Sequence, residues 1–475
     1  MGSRAPAVRS TRLYGALRSR VALLLTLASV AAAVALWISH GLFGPVALAL
    51  MTVAWIASVA AAVLGRSGEK ETAPIEPGVR RFLAVALVAS CVIHVVFPPG
   101  MYLDPAQPLA FRALAVFAAL GAVSYLAPLP PAAARWRFGV LGVCFVAMGW
   151  TVLAASPNPT IDVWSIQQEG ARAILGGDNP YTATYTNPYD NETLFGSAMV
   201  DASGRLSVFP YPPLTFLLGA PALLLFHDVR IVFLAAMALA AWALRRLGKG
   251  EISELAALLL LLQPTTFFVL EQSWTEPLVL AAFGATVLAI RALGQRPSGA
   301  AAVGVAGGVL AAAKQYSPIL VLPLAFALPR RARWRSVSMA AGVALATLLP
   351  FVLWDPQEFW HDVVAMQVQQ PFRFDALSWL VPIAVALQRP LSAAWGFVGV
   401  GILLALLLRP GASLAQVVRV AAAAFLTLVL FNKQAFCNYY WLVVGLLLFA
   451  TALEIDPVAR VPLEPEPTAA KMTSS

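Results

Sequence analysis

The residues of this chain best suited to chemistry begin at Ile161, in the stretch IDVWSIQQEGARAILGGDNPY. Asp162 comes soon after the apolar run FGVLGVCFVAMGWTVLAA (138–155), so its carboxylate sits where a chain would leave a bilayer. Two readings fit such a residue. It can N-cap the amphipathic helix that follows, contributing about 1 kcal/mol. It can also take a proton from a hydroxyl, a step typically worth about 10²–10⁴ in rate. Cations on the same side are few and therefore informative: Arg172, Arg205, Arg230, Lys314, Arg373 and Lys433. Lys314 ends the Gly/Ala-rich run AAVGVAGGVLAAAKQYSP, where it either snorkels to the interface or holds an anion. Arg373, in QQPFRFDALS, either pairs with Asp375 or grips an oxyanion through two bonds. His361 is a third candidate for an anion.

Other polar and aromatic residues crowd the same side. Glu271 and Glu276, in EQSWTEP, occupy a turn between two apolar runs, where carboxylates are functional candidates. Asp178 builds a turn with Asn179 and Pro180. Asp190, Glu192 and Asp201 read as solvated loop acids, and the NET triplet (191–193) carries no weight. Trp164, Tyr181, Tyr185, Tyr189, Tyr211, Trp274, Tyr439 and Tyr440 form an interfacial belt of the kind any membrane protein has. Trp164, Tyr181 and Tyr211 are also placed to meet a ring-shaped ligand.

The elements that must position these groups are apolar. The chain has 475 residues, 60% hydrophobic and 12% charged, whereas soluble domains carry about 25% charged residues. The fold class is therefore an all-α polytopic membrane protein. The pattern gives about 14 spans of roughly 20 residues (12–14 allowing for ambiguous runs at 212–226 and 376–389). After the first large polar loop, 212–226 is expected to lie in or dip into the interface, and 231–245 to cross. A span is also drawn at 252–270. Four parts follow: a cytoplasmic arm at 1–20, an additional transmembrane module of four spans at 21–137, a core at 138–454, and a disordered cytoplasmic tail at 455–475. The core carries outer loops at 156–211 and 355–378.

A net charge of +9 does not imply nucleic acid. Most Lys and Arg fall in RSGEKETAPIEPGVRR, RWR, RRLGKG, RALGQR and PRRARWR, which alternate with the polar loops as the positive-inside rule requires. Both termini are thus expected in the cytoplasm of a multi-pass protein of a bacterial inner membrane. Cys91, Cys144 and Cys437 form no paired framework. No HExxH or CxxC spacing occurs, so no metal ligand is assigned and no cofactor is called for, though a divalent metal stays open. The glycines of GVAGG (304–308) read as helix packing.

The order of these features, a span, Asp162, a surface helix, GGDNPY, a polar loop, YPPL and then KQYSP at a later turn, resembles the GT-C superfamily of membrane glycosyltransferases. Residues 138–450 are most similar to glycosyltransferase family 87, the mannosyltransferase-like proteins. The resemblance implies a GT-C-like helical bundle and transfer, with inversion, of mannose, arabinose or a similar sugar. The donor would be a polyprenyl-phosphate sugar, and the acceptor a lipid or envelope glycan on the outer face. By the same resemblance Asp162 is the base, and Lys314, Arg373 and His361 meet the donor phosphate. Trp164, Tyr181, Tyr211, Glu271 and Glu276 meet sugar or acceptor. The alternative class is a transporter or flippase for a lipid-linked or polar substrate, which tends to show broken helices with polar groups near the midplane.

Overall fold

In the computed structural model the described residues are 5–65, 77–104, 108–127, 129–189, 199–248, 250–293 and 299–455. Nearly all of the expected tail, with Asp190, Glu192, the NET triplet and Lys249, lies outside them. The helices are α1 (Ala5–Ser39), α2 (Pro45–Leu64), α3 (Pro77–Val96), α4 (Pro108–Val123), α5 (Pro131–Ala134) and α6 (Arg137–Ala155). The polar region holds α7 (Asp162–Gly176), followed by α8 (Leu214–Phe226), α9 (Arg230–Leu247), α10 (Glu251–Leu262), α11 (Thr266–Glu271) and α12 (Glu276–Arg291). Then come α13 (Gly299–Ala313), α14 (Pro318–Ala325), α15 (Arg330–Trp354), α16 (Pro356–Trp360), a π-turn at His361–Ala365, α17 (Met366–Gln369) and α18 (Leu380–Leu387). The last are α19 (Ala394–Leu407), α20 (Leu414–Leu430) and α21 (Cys437–Ile455). Proline opens many of them, since its missing N–H is an orphan in the first turn anyway.

Among the described residues, six helical stretches are long and apolar enough to cross a membrane, including Arg20–Ser39, Pro45–Leu64, Pro77–Val96 and Cys437–Glu454. Among the described residues there are no β-strands beyond three isolated bridges. This is the architecture of an α-helical membrane protein. One drawn span comes out differently. The run at 252–270 is broken into α10 and α11 at Gln263-Pro264, because proline has no N–H to continue the ladder and its ring crowds the preceding turn. The helices α8 and α9 meet at a bend of 111°.

α20 and α21 form the centre. The most apolar window of α21 is 94% buried, whereas that of α15 is 11% buried. The helices α1 and α2 are built against this centre, with α1 on α21 and α2 on α20. The expected division at residue 137 is therefore not a packing boundary. On the flank, α13 lies against α15, and a Cβ at Gly304 or Gly308 would come within 2.4–2.6 Å of Met339 or Val343. GVAGG is a packing motif, as its composition suggests. At the ends of the helices remote from Asp162, Glu251 pairs with Arg80 and Arg137, and Glu254 with Arg245.

Candidate functional site

A cavity of about 330 Å³ opens at the end of the bundle that carries α7. Its wall takes Asp162 from α7, Tyr211 from the loop before α8, Lys314 from the end of α13, Arg373 from the loop before α18, and Tyr439 from the start of α21. Residues far apart in the chain thus face one space.

The helix carrying Asp162 is amphipathic but more deeply set than a helix lying on a membrane surface. Val163, Ile166 and Ala171 face inward, and so do the polar Gln167 and Gln168. Their amides explain this. The Gln167 Nε2 donates to the Ser273 carbonyl at 2.9 Å. Gln168 donates to the His227 carbonyl (2.9 Å) and accepts from the Val229 N–H (3.1 Å). Gly170 lets the helix meet Phe209, whose ring would lie 2.5 Å from a Cβ there. The helix ends on Gly177 at φ +87°, with Asp178 N–H bonded to Ala173 and Gly177 N–H to Ile174, a Schellman stop.

Asp162 is the first helical residue, and Ile161 holds the N-cap position with no side-chain bond. The capping reading of Asp162 is therefore corrected. The positive end of the helix still favours its charge, and the Tyr189 hydroxyl donates to Oδ1 at 3.3 Å. Burial pushes its pKa above the usual carboxylate range. The Val163 N–H, the Tyr189 hydroxyl and the charge of Arg373 pull the other way. A raised pKa moves a carboxylate toward the range useful for proton transfer near neutrality.

Both cavity cations are already paired. Lys314, 7% exposed, forms an ion pair with Glu276, which is fully buried and also accepts from the Tyr316 hydroxyl at 2.9 Å. The rings of Tyr211, Tyr316 and Tyr439 surround the ammonium at 5.3–5.6 Å from their centroids. Lys314 is therefore embedded, and snorkelling does not describe it. Arg373 holds Asp375 through two bonds of 2.6 and 2.8 Å, with its guanidinium over Phe436. The salt bridge weighed from the sequence is present, and Arg373 lines the cavity as well.

Other expected residues lie elsewhere. Tyr181 is 1% exposed in an aromatic cluster with Phe209, Phe216 and Phe359, and its hydroxyl is bonded to the Tyr211 carbonyl at 2.9 Å; it cannot stack on a ligand. Trp164 is outside the cavity lining, with the Arg230 guanidinium 6.0 Å from its ring centroid. Glu271 is fully buried, and accepts from the Met101 and Tyr102 N–H groups at 2.6 and 2.8 Å, anchoring the loop after α3 rather than meeting an acceptor. His361 faces Asp362 at 2.9 Å and does not line the cavity. With Glu358 these two place ligand atoms within 4.8 Å of one another. The Asp362 oxygens are already engaged by His361 and the Phe209 N–H, which makes this set a poor fit to a resident cation.

Several lining residues were not singled out from the sequence. Gln315, Gln367, Gln370, Gln434 and Asn438 supply a ring of amides, and His40 enters from the α1–α2 hairpin. The hairpin is clamped in place. His40 and Gly41 take left-handed φ of +51° and +80°, a Cβ on Gly41 would lie 2.2 Å from the Cys437 nitrogen, and Phe43 N–H bonds to Asp375 at 2.7 Å. Nothing in HGLFG announces its role in the sequence, apart from a glycine at the turn. No protein-family model, curated protein or solved structure matches this chain.

Proposed function

We propose that this protein is an inverting glycosyltransferase that moves a sugar from a polyprenyl-phosphate donor to a lipid-linked or envelope glycan acceptor at the outer membrane face. The observation that carries the reading is the sharing of one cavity by Asp162, Lys314 and Arg373. A transfer of this kind needs a base for the acceptor hydroxyl and positive charge for the departing phosphate. It needs no separate acid, because phosphate leaves readily, in contrast to the paired carboxylates of glycosidases. Asp162, with its raised pKa and its position at the helix start, is the base in this scheme. The prenyl tail would keep the donor's anomeric carbon at headgroup depth, level with the ends of α6 and α7.

The pairing of both cations has a consequence for the transition state. A donor phosphodiester carries one negative charge, and the departing phosphate acquires more. Lys314 and Arg373 then share their charge between a resident carboxylate and the leaving group, and the attraction strengthens as the bond breaks. We also retain the finer architecture, a GT-C-like bundle of about 14 spans with cytoplasmic termini, as part of this proposal.

Asp162→Asn tests it. Membranes containing the variant, supplied with labelled polyprenyl-phosphate sugars, are expected to show normal insertion and transfer lowered by at least about 10². Undiminished transfer by a well-inserted variant would remove Asp162 from the scheme. The second reading, a transporter, is favoured by one observation: α10 and α11 are interrupted at Gln263-Pro264 deep in the apolar belt. Solute movement without covalent product would select it.

A further inference from the structure

A second cavity lies away from Asp162, between α1, α3, the α10–α11 break and α21, and holds about 100 Å³. Val34 and Ala89 at its edge are exposed, so in a bilayer it opens to lipid. Its walls are apolar apart from Ser29, Ser90 and Gln263. Ser29 turns its hydroxyl back onto the Thr26 carbonyl at 2.9 Å. Gln263 is different. It is 2% exposed, and neither its amide nitrogen nor its amide oxygen has a hydrogen-bond partner.

The backbone holds that amide in place. The Gln263 N–H closes α10 on Leu259, its carbonyl accepts from Thr266, and the neighbouring Leu262 carbonyl accepts from the His94 ring at 3.1 Å. The Gln263 side chain, on a residue that lines an apolar groove, keeps a donor and an acceptor without a partner. An amide in that position demands a partner. A hydrocarbon chain supplies none, and an ester or ketone can accept but not donate. A charged group is excluded by the walls. A hydroxyl both accepts and donates.

We propose that this groove binds a neutral lipid alcohol, its hydroxyl on the Gln263 amide and its chain leaving past Val34 and Ala89 into the bilayer. The position is not remote from the first cavity. Trp37 lines the groove and His40 the cavity, one turn apart; Pro264 and Phe268 are related in the same way. An occupant therefore braces the wall that carries His40. The inference stands whether or not the transfer reading holds.

The test uses the full-length protein in nanodiscs, with a diazirine-bearing hexadecanol and its hydrocarbon counterpart lacking the hydroxyl. The alcohol probe is expected to label peptides of α1 and α3 saturably, about tenfold more than the hydrocarbon probe, which corresponds to one hydrogen-bonding difference. Gln263→Leu should fold and label equally with both probes. Ala89→Trp, which fills the mouth, should lose labelling by either. Equal labelling of the unmodified protein by the two probes, or an alcohol preference that survives Gln263→Leu, overturns the proposal.

Discussion

Lys314 and Arg373 line the same cavity and carry the same charge, yet they sit in different media. The Lys314–Glu276 pair is 8% and 0% exposed at its side chains, and the Arg373–Asp375 pair is 26% and 46% exposed. In the first, neither charge has water to fall back on, so the pair is held together by the cost of separating it. In the second, solvent takes over readily, and the attraction is weak. Both cations line the cavity, but the first is also fixed into the structure that makes it, while the second is held more loosely.

The largest expected effect breaks the inner pair. Lys314→Met leaves Glu276 charged and buried, and should lower stability by about 3–5 kcal/mol, read as a fall in the detergent melting temperature. Lys314→Met combined with Glu276→Leu should recover most of that loss without recovering transfer. If the single variant melts like the parent, the two media are not different after all. At the outer pair, Arg373→Lys keeps the charge but loses the planar two-bond grip. Transfer should fall about tenfold, one charge-assisted bond in the transition state, with melting unchanged. Equal melting losses at the two sites would dissolve the contrast.

Proton titrations sharpen it further. Asp162 must be ionised to act as base, so transfer should decline as pH falls through its elevated pKa, at a higher pH than for an ordinary carboxylate. A rate flat down to about pH 4, the ordinary carboxylate range, would argue that Asp162 is not the base. A smaller effect is expected at Asp362, outside the cavity. Burial raises its pKa to about 6, against the opposing pulls of the Phe209 N–H and of His361. The folded state binds its proton more tightly than the unfolded state does. This contribution is present below the usual carboxylate range and lost as pH rises through about 6. Asp362→Asn, which still accepts from Phe209, should melt with less pH dependence than the parent over that window.

Much of this was legible in the residues and some was not. Apolar runs revealed helices, and the Gly176-Gly177 stop, the GVAGG packing face and the shared location of Asp162, Lys314 and Arg373 all follow from local composition or from the alternation of charge. What escaped was set by partners distant in the chain. Tyr181 and Glu271 read as polar groups at an interface, but Phe209 and the Met101–Tyr102 backbone claim them. Gln167 and Gln168 are polar residues of an amphipathic helix, and nothing local shows that Ser273, His227 and Val229 wait for their amides. Hydropathy does not report depth: the most apolar window of Arg330–Trp354 exceeds that of Cys437–Glu454 in hydropathy and is far less buried. In a bilayer, lipid welcomes an apolar face as readily as protein does, so apolarity marks insertion and not centrality.

The clamp of the α1–α2 hairpin onto Cys437 and Asp375 bears on biogenesis. A ribosome threads α1 into the membrane long before α21 has been synthesised, so the early hairpin lacks the Cys437 half of its clamp until that span arrives. A nascent chain stopped short of α21 therefore lacks the wall that Cys437 and Tyr439 supply, and the cavity closes only once the whole chain has been made.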